Sequence, residues 1–509
     1  MNNSTLISTK EYLLFFVVPI LLYAGFATDF TFNFFKPFWL WQAYNEFYLS
    51  LIDGRLNIPA YAIGREGQYI DGKAYMYYGL LPTITRVMFD PFIDLQKIPV
   101  SAFSVWAFSI VGTSYLQYSI LTKYKKNTSN ITSAASLTML CCISLIIWFA
   151  SGSFIILQEA NIYHEPYAAS LCLANIYAGL LIKDSFFKHH VKNILPYAVL
   201  AGLCTHARMP LALALYVTTV ALIFINIYHC YKASPTSIKK TFFMLLSYWP
   251  TLLVLFLFGI SILGLNYARF DNPLSFMGPA AHYGYKLTGE VYSARTCNII
   301  SSNEFSGVLR IIPNAIVYGI GGWNLHDKLM ALFQTGYGRK ELPLIPIFIL
   351  WMAPLFLILL TFIQNIKNKN IIALLIMTGF SIGVVFQLSY PTIAHRYIAE
   401  LWPIFLIALV TFYFAFIKNP KSINRTTFYI VIMAAVLSII YNIYIAFSSG
   451  YHFRPNIEPM TVYSYSPEIT TLLENITDDK VLEIKQSFID GKESGCEALK
   501  KQLLTDKKH

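Results

Sequence analysis

Charged residues are scarce in this chain. Asp, Glu, Lys and Arg supply 13% of its 509 residues, whereas a typical soluble domain has about a quarter. Hydrophobic residues supply 56%, and the mean hydropathy is +0.52. Because a soluble core cannot absorb so much apolar side chain, the surplus needs lipid. The shortage of charge therefore excludes a soluble globular protein and predicts a membrane protein.

The cysteine patterns of metal and redox sites are also missing. The seven cysteines include no CxxC pair and no His/Cys spacing typical of zinc, so we expect no zinc site. No cofactor is predicted, and a divalent metal is not expected but stays an open alternative. Cys297 and Cys496 fall in two different segments outside the apolar runs, where a disulfide and two free thiols are both open interpretations. The other five fill space in hydrophobic or membrane-edge stretches: Cys141, Cys142, Cys172, Cys204 and Cys230.

Long apolar runs, by contrast, are abundant. A helix needs roughly 20 apolar residues to cross a bilayer, and the runs of this chain predict an all-α polytopic membrane protein with about eleven transmembrane helices. Around Arg208-Met209-Pro210, two spans and a short re-entrant hairpin are both open. The runs are 12–28, 100–122, 127–158, 166–182, 194–205, 211–227, 241–268, 342–366, 371–390, 401–417 and 428–447.

Three longer polar segments interrupt or follow these runs. They are a first loop at 29–98, a later loop at 269–341 and a tail at 448–509. The division predicts a transmembrane module, residues 1–447, followed by a small helical tail. The first apolar run follows Lys10 and has no small-residue cleavage pattern, so we interpret it as a retained span. All three polar segments are then expected on the same side of the membrane.

Basic residues in the short loops predict the orientation. The loops on the side of the N-terminus hold fifteen basic residues against the acids Glu11 and Asp184, while the other side keeps 23 basic and 25 acidic residues. Positive loops stay inside, so we expect a cytoplasmic N-terminus and a periplasmic C-terminus. The bias accounts for the net charge of +11, and no nucleic-acid partner is expected. The fifteen are Lys10, Lys123, Lys125, Lys126, Lys183, Lys188, Lys192, Lys232, Lys239, Lys240, Lys367, Lys369, Lys418, Lys421 and Arg425.

Ionisable side chains collect at the outer ends of the spans. Groups at that depth carry a functional hypothesis by default, because lipid-facing surfaces do not tolerate them. Their convergence beneath the acidic, aromatic first loop predicts a pocket at the membrane–water boundary that suits a lipid-linked substrate. The candidates are Asp29, Glu46, Asp53, Glu66 and Tyr78 in the first loop, His164 and Glu165, His206 and Arg208, and His395 and Arg396 in short turns.

The arginines are candidates for binding phosphate. The planar guanidinium matches a phosphate group, so Arg396 and Arg208 are the first candidates, with His395 beside them and Arg269 and Arg295 in reserve. A plainer alternative is that Arg208 and Arg396 anchor the protein to lipid headgroups.

A carboxylate within hydrogen-bond reach of an acceptor hydroxyl can act as a general base. Glu46 is the first candidate, because it lies in an amphipathic stretch that we expect to lie along the membrane plane. Plainer alternatives apply to other acids. Glu165 precedes a proline and could cap the following span, while Asp71 in Asp71-Gly72 favours a hairpin tip. Any single carboxylate on the outer face can also be simply solvated.

Short motifs along the chain carry a resemblance. The first loop contains Gly54-Arg-Leu-Asn-Ile-Pro59, Asp71-Gly-Lys-Ala-Tyr75 and Tyr78-Gly-Leu-Leu-Pro82. In these motifs the chain resembles the GT-C superfamily of integral-membrane glycosyltransferases, which use polyprenyl-phosphate sugars. Later matches are Tyr163-His-Glu165, Thr205-His-Ala-Arg208-Met-Pro210, Asn266-Tyr-Ala-Arg269-Phe and His395-Arg396-Tyr397.

Within that superfamily, the long first loop and the external tail are similar to the serotype-converting O-antigen glucosyltransferases of Gram-negative bacteria. The resemblance implies transfer of a sugar, glucose in that group, from undecaprenyl phosphate to a surface polysaccharide such as O-antigen at the periplasmic face of the inner membrane. It also implicates Glu46 and the tail residues Lys500 and Lys501. The acidic pair that relatives carry early in the first loop is replaced by Trp39-Leu-Trp41, so the base stays open between Glu46, Asp29 and Asp53.

Two other functions remain in view. An O-antigen polymerase or ligase also combines spans with an external loop, but it places its main loop late in the chain. A lipid-linked oligosaccharide flippase or another transporter typically has charged or broken helices near mid-membrane and inverted repeats. The charges of this chain lie at the ends of the spans, and no repeat is visible.

Overall fold

The computed structural model describes residues 8–449, with gaps at 39, 64–65, 71–72, 128–133, 158–159, 185–190, 192, 234–242, 244, 275–281, 284–305, 334–338, 341–345, 368–370, 391 and 419–424. The predicted helical tail, with Cys496, Lys500 and Lys501, lies outside the described residues. So do Arg295 and Cys297 of the later loop.

The described chain is mostly helical. The outer part carries 3-10 helices at Leu81–Met88 and His395–Leu401. The first helix, Thr9–Thr28, includes a π-helical stretch at Leu13–Val17. The α-helices that follow are Gln42–Ile52, Ala60–Ile63, Ser101–Asn127, Ala134–Phe149, Gly152–Leu157, His164–Asp184, Leu195–Thr205, Met209–Ala233, Trp249–Phe270, Ser306–Ile320, Trp323–Leu332, Ile347–Leu350, Met352–Lys367, Ile371–Leu388, Trp402–Lys418 and Arg425–Ser449.

Five helical segments are long and apolar enough to cross a membrane: Thr9–Thr28, Ala135–Leu157, Met209–His229, Trp249–Phe270 and Phe428–Phe447. They support the predicted membrane class. The prediction of about eleven spans goes further than these five and stays a prediction.

Aspartates end two of these helices. Asp29 follows Thr9–Thr28 with a φ of 56°, and Asp271 follows Trp249–Phe270 with a φ of 53°. Asp enters this left-handed region more readily than most residues, and one such residue stops a helix by turning its backbone N–H to an earlier carbonyl. Asp29 therefore has a structural function at the end of the first span, whatever its chemistry.

Close helix contacts define relative directions. Ser101–Asn127 packs against His164–Asp184, where a Cβ added to Gly112 would lie 2.5 Å from the Cα of Cys172. One turn or two further along both helices, Gly179 packs on Tyr115. Both contacts advance in the same direction, so the two helices run parallel. These helices contain the second and fourth predicted spans. If successive spans cross the membrane in alternating directions, these two must run parallel, as observed.

The hairpin around residue 208 has one short helical arm. Leu195–Thr205 has 11 residues, too few to cross the hydrocarbon layer as a helix alone. However, the backbone of Val191 exchanges hydrogen bonds with the side chain of Asn226, at 3.0 and 2.6 Å. The arm thus begins level with Asn226 and ends beside Met209, a rise of about 26 Å along the second helix. That reach favours two spans over a shallow re-entrant turn.

The first loop contains a small β-sheet, a detail within the mostly helical chain that the sequence did not predict. Strands β1 (Asn57–Ile58), β3 (Lys73–Tyr75), β2 (Gln68–Ile70) and β4 (His282–Tyr283) pair in that order, all antiparallel. Ile70 pairs with Lys73, so the strands flank residues 71–72 as the Asp-Gly hairpin prediction requires. Strand β4 comes from the later loop and joins the two loops.

At the opposite end of the bundle, Lys125 donates to the Glu11 carboxylate at 2.6 Å. Lys183 lies 5.5 Å from the ring centroid of Tyr115 and 5.3 Å from that of Tyr118. The start of the first span and the ends of Ser101–Asn127 and His164–Asp184 therefore share one end of the bundle. The topology prediction assigns all three to the same side.

Candidate functional site

The first loop is fastened to itself through helix Gln42–Ile52. The buried side chain of Asn45 donates through Nδ2 to the carbonyl oxygens of Leu95 (2.8 Å) and Ile98 (3.0 Å). Its Oδ1 accepts from Nε of Arg86 at 2.9 Å. One amide thus ties the beginning, the 3-10 helix and the end of the loop to one another.

A buried ion pair then fastens the loop to the bundle. Arg86 and Glu165 are both fully buried, and the guanidinium donates to both carboxylate oxygens, with Nη2 to Oε1 at 3.0 Å. Arg86 also donates to the Pro82 carbonyl at 3.1 Å, and its guanidinium carbon lies 5.5 Å from the Tyr44 ring centroid. Glu165, a pocket candidate from the sequence, is thus committed to an internal contact.

A second ion pair joins the helix hairpin to the turn before Trp402–Lys418. Arg208 donates through Nε and Nη2 to the two oxygens of Glu400, at 2.7 and 3.3 Å, and through Nη2 to the Tyr167 hydroxyl at 2.6 Å. Burial opposes the charge of Arg208, but the Glu400 carboxylate outweighs it and raises the pKa of the guanidinium above its usual value. The charge of Arg208 is therefore already neutralised within the protein.

Arg396 lies among tyrosine rings. Its guanidinium carbon is 4.2 Å from the ring centroid of Tyr163 and 5.2 Å from that of Tyr397, distances typical of cation–π contacts. The Tyr163 hydroxyl is hydrogen-bonded to the carboxylate of Glu66, and burial followed by that carboxylate raises the pKa of Tyr163 well above its usual value. Glu66, Tyr163 and Arg396 thus form one contiguous group.

Two histidines beside Arg396 are held neutral. Burial, and then the charges of Arg396 and His395, lower the pKa of His164 well below its usual value. Burial lowers the pKa of His395 to about 4. Nδ1 of His164 contacts Oδ1 of Asn161 at 2.6 Å, whereas neither ring nitrogen of His395 has a hydrogen-bond partner in the described part of the chain. A neutral imidazole of this kind can accept or donate a hydrogen bond to a ligand.

Tyrosines form the wall between these groups. The hydroxyls of Tyr77 and Tyr78 are 2.6 Å apart, and the Tyr78 ring centroid lies 6.1 Å from that of Tyr44 and 6.3 Å from that of Tyr163. The buried Tyr44 hydroxyl has no hydrogen-bond partner among the described residues. Such rings combine apolar faces with polar tips, a surface that suits ligands with both characters.

The turn at His206 supports the loop from below. The His206 carbonyl accepts from the Leu81 N–H at 2.9 Å, and a Cβ added to Gly79 would lie 2.1 Å from that carbonyl oxygen. Only glycine allows so close an approach. Nε2 of His206 contacts Oγ of Ser261 at 2.8 Å, and burial, followed by the charge of Arg269, lowers the pKa of His206. His206 is therefore a neutral side chain at the junction of loop and bundle.

Arg269 stands at the end of helix Trp249–Phe270 and is 3% exposed. Nη1 donates to the Tyr78 carbonyl at 2.8 Å, and the guanidinium lies 5.1 Å from the Phe47 ring centroid. Its Nε and Nη2 have no hydrogen-bond partner within the described residues. This reserve candidate is thus brought directly under the first loop.

Glu46, the first candidate for the base, lies on helix Gln42–Ile52 and is 4% exposed. Its Oε1 accepts from the Tyr61 hydroxyl at 2.6 Å. Burial, followed by the Glu46 carboxylate, raises the pKa of the Tyr61 hydroxyl above its usual value. Glu46 is thus enclosed by its own loop, with a tyrosine as its partner.

The other two base candidates have cationic partners. Asp29 lies 3.3 Å from Nζ of Lys36, and Asp53 lies 2.8 Å from Nη2 of Arg55. The Asp53 side chain is 59% exposed, so it behaves as a solvated surface acid. The structure therefore gives the three candidates separate partners, and it brings Glu66, rather than any of them, next to the ring that faces Arg396.

Sequence reasoning missed Arg86 as an internal cation, Glu400 as the counter-ion of Arg208, and Gln68. Gln68 is fully buried on strand β2, and neither amide atom has a hydrogen-bond partner in the described ranges. No local signal identifies Arg86 or Glu400, because their partners lie 79 and 192 positions away in the chain.

Within the described residues, no group of three or more His, Cys, Asp or Glu side chains could hold a metal ion. Comparisons with family models, curated proteins and solved structures each found no match. The functional proposal therefore depends on the sequence and geometry of this chain.

Proposed function

We propose that the protein is an integral-membrane glycosyltransferase that moves a sugar from a polyprenyl phosphate to a surface polysaccharide. The observation that carries the proposal is the cluster at one end of the helical bundle. There, buried arginines, neutral histidines, a carboxylate and tyrosine rings from the first loop and four separate turns lie side by side. Ionisable groups at the end of a membrane bundle either pair with one another or mark the path of a substrate.

The arginines divide into two functions. Arg86 and Arg208 are neutralised by Glu165 and Glu400, so we assign them to holding the loop and the turns in place. Arg396 faces tyrosine rings, and we assign it, with Arg269, to the phosphate of the donor. A guanidinium stabilises the charge that grows on the phosphate as the sugar leaves.

We assign the base to Glu66, with Glu46 as the alternative. Glu66 binds Tyr163 beside Arg396, so an acceptor hydroxyl between them would meet a carboxylate on one side and the donor on the other. The hydroxyl proton passes to the carboxylate as its oxygen attacks the anomeric carbon. The bond from that carbon to the phosphate oxygen breaks, and the electron pair leaves with the phosphate. A β-linked donor then gives an α-linked product.

The wider assignment follows the resemblance and the charge bias. About eleven spans, a cytoplasmic N-terminus and a periplasmic C-terminus in the bacterial inner membrane would place the cluster on the periplasmic side. Undecaprenyl-phosphate glucose is the proposed donor, and O-antigen is the proposed acceptor. The polymerase, ligase and flippase alternatives have no separate observation in their favour.

The test is deletion of the gene followed by mass spectrometry of the surface polysaccharide. We expect the loss of a fixed hexose mass from each repeat unit, restored by the wild-type gene. Unchanged polysaccharide together with accumulated lipid-linked intermediates would refute sugar transfer and support a flippase.

A matched pair of variants tests the base. Glu66→Gln keeps the shape of the side chain but cannot take the proton, so complementation should fail while membrane insertion is retained. Glu46→Gln should complement if Glu66 is the base. The reverse pattern would move the catalytic function to Glu46.

A further inference from the structure

Asn314, on helix Ser306–Ile320 of the later loop, holds the backbone that precedes part of the candidate site. Its buried side chain donates through Nδ2 to the carbonyl oxygens of Leu388 at 2.7 Å and Tyr390 at 3.0 Å. Carbonyl oxygens only accept hydrogen bonds, so these two contacts fix the orientation of the amide. The other end of the amide, the oxygen Oδ1, therefore points away from both carbonyls.

The same helix contacts this backbone again just before His395 and Arg396. There the N–H of Ala394 donates to the hydroxyl of Tyr318 at 3.2 Å. Segment 388–394 is therefore fastened to one helix at both of its ends. Since the two candidate site residues follow it directly in the chain, the position of the segment sets the position of their backbone.

His326 contacts the free end of the Asn314 amide. Nε2 of the fully buried imidazole lies 3.2 Å from Oδ1 of Asn314, and Nδ1 lies 3.1 Å from Oδ1 of Asp327. The amide oxygen is an acceptor, so the first contact needs a proton on Nε2. The carboxylate oxygen is also an acceptor, so the second contact needs a proton on Nδ1. Both contacts together require the imidazolium, in which both ring nitrogens donate.

A neutral His326 can keep only one of the two contacts. The carboxylate of Asp327 is a stronger acceptor than a neutral amide oxygen, so the remaining proton stays on Nδ1. Nε2 then presents its lone pair to Oδ1 of Asn314, and two acceptors repel each other. Histidine is the side chain whose charge ordinarily changes between pH 5 and pH 8. A rise in pH therefore removes the hydrogen bond that orients Asn314.

Other titratable groups lie on the elements around His326: Arg310 and Tyr318 on the facing helix, Lys328 on its own helix and Tyr390 on segment 388–394. The phenols are uncharged below about pH 10, and burial lowers the pKa of the Arg310 guanidinium. Neither cation favours a second positive charge beside it. The Asp327 carboxylate, in contact with Nδ1, is therefore the group that favours the charged ring.

We propose that Asn314 and His326 are positioning residues, which hold segment 388–394 in place, and with it His395 and Arg396, as long as the imidazole carries two protons. Loss of one proton releases the amide of Asn314, so the segment loosens as the pH rises. The consequence for sugar transfer rests on the proposed function, whereas the proton-dependent hold on the segment does not.

The protonation of His326 can be measured through Trp323. The two rings lie edge to face, with their centroids 5.8 Å apart. An imidazolium quenches the fluorescence of an adjacent indole more strongly than a neutral imidazole does. The difference between the emission of the purified full-length protein and that of its Trp323→Phe variant isolates this one indole. We expect that difference to rise with pH through a single transition.

Asp327→Asn separates the proton from the hydrogen bonds. The new amide can donate to Nδ1, so a neutral ring keeps its proton on Nε2 and its contact with Asn314. The midpoint of the fluorescence transition should fall by at least about half a pH unit, a modest shift because half of the Asp327 side chain is exposed. Asp94→Asn, at an exposed acid paired with Lys97, is the control and should leave the midpoint unchanged. A wild-type midpoint in Asp327→Asn, or no transition between pH 5 and pH 9, would overturn the proposal.

Hydrogen exchange in segment 388–394, followed by mass spectrometry of the purified protein, tests the hold itself. The ratio of the wild-type exchange rate to the Asp327→Asn rate cancels the intrinsic pH dependence of exchange. We expect this ratio to rise by up to about tenfold between pH 6 and pH 8.5, the factor that corresponds to one hydrogen bond from a charged donor. Asn314→Ala should exchange fast at both pH values.

A constant ratio of exchange rates, or wild-type exchange in Asn314→Ala, would overturn the proposal. Neither this measurement nor the fluorescence titration involves a sugar, so the outcome is separable from the proposed function. An unchanged polysaccharide in the deletion strain would refute sugar transfer and leave the hold on segment 388–394 to be decided by these two results.

Discussion

The ion pair between Arg86 and Glu165 gives the sharpest prediction about stability. Both side chains are fully buried, and Arg86 also donates to Asn45 and to the Pro82 carbonyl. Glu165→Gln keeps the volume of the side chain but leaves a buried guanidinium without its counter-ion. Removal of one member of a buried pair typically costs about 3–5 kcal/mol, so we expect the free energy of unfolding to fall by that amount.

The double variant Arg86→Met with Glu165→Leu separates charge from packing. Replacement of both members by apolar side chains avoids the unbalanced charge and is often close to neutral. It leaves Asn45 Oδ1 without its donor, at about 1–3 kcal/mol. We therefore expect the double variant to be more stable than Glu165→Gln alone, although it removes more polar contacts.

The assay is reversible unfolding of the purified protein in mixed micelles, followed by tyrosine and tryptophan fluorescence. Asp53→Asn is the control, because its exposed pair with Arg55 should be worth less than about 1 kcal/mol. Equal stabilities for Glu165→Gln and Asp53→Asn would refute the reasoning. A double variant as unstable as the sum of the two single variants would refute it as well.

Three further predictions follow from the same geometry. Gly79→Ala should destabilise the protein by about 1–3 kcal/mol, because a Cβ at this position would clash with the His206 carbonyl. The same unfolding assay measures this change, and an unfolding midpoint equal to that of the wild type would contradict it. Because His395 has a folded pKa of about 4, below the ordinary 6.5, the unfolded chain binds the proton first as the pH falls. The free energy of unfolding should therefore reach a plateau above about pH 6.5 and fall by up to about 3 kcal/mol towards pH 4. His395→Asn should remove this contribution to the pH dependence of stability, and an unchanged pH dependence in that variant would refute the prediction. Arg208→Met should lower stability more than Arg208→Met combined with Glu400→Leu, since the single change leaves a buried carboxylate unpaired; an additive result in the same unfolding assay would count against the pair.

Some of this arrangement could be predicted from local sequence alone. Apolar runs predict the membrane class, because a helix that crosses lipid needs a minimum length and an apolar composition, and both can be read directly from the sequence. The hairpin that flanks residues 71–72 follows from Asp-Gly, whose backbone suits a two-residue turn. Basic loops predict which helix ends lie together, and the contact of Glu11 with Lys125 agrees with that grouping.

The partners of the ionisable residues could not be predicted in this way. Arg208 looked like a phosphate ligand because its counter-ion, Glu400, is far away in the chain and arrives only through the packing of the hairpin on a distant turn. Glu165 looked like a pocket residue for the same reason. Local sequence indicates that a charge is present, whereas only the tertiary fold decides whether that charge is already balanced.

The small sheet in the first loop was missed for a related reason. Its strands are two or three residues long, too short for an alternating pattern to be recognised. One strand, β4, also comes from the later loop. The sheet is therefore a long-range structure, with strands from both the first loop and the later loop.

The most direct measurement of the central claim uses the purified protein in proteoliposomes with undecaprenyl-phosphate glucose, radiolabelled in the sugar, and an unmodified O-antigen polysaccharide. The account predicts label transferred to the polysaccharide by the wild type and no transfer by Glu66→Gln. The account would be contradicted if the wild-type protein moved the labelled lipid across the bilayer while the label stayed attached to the lipid.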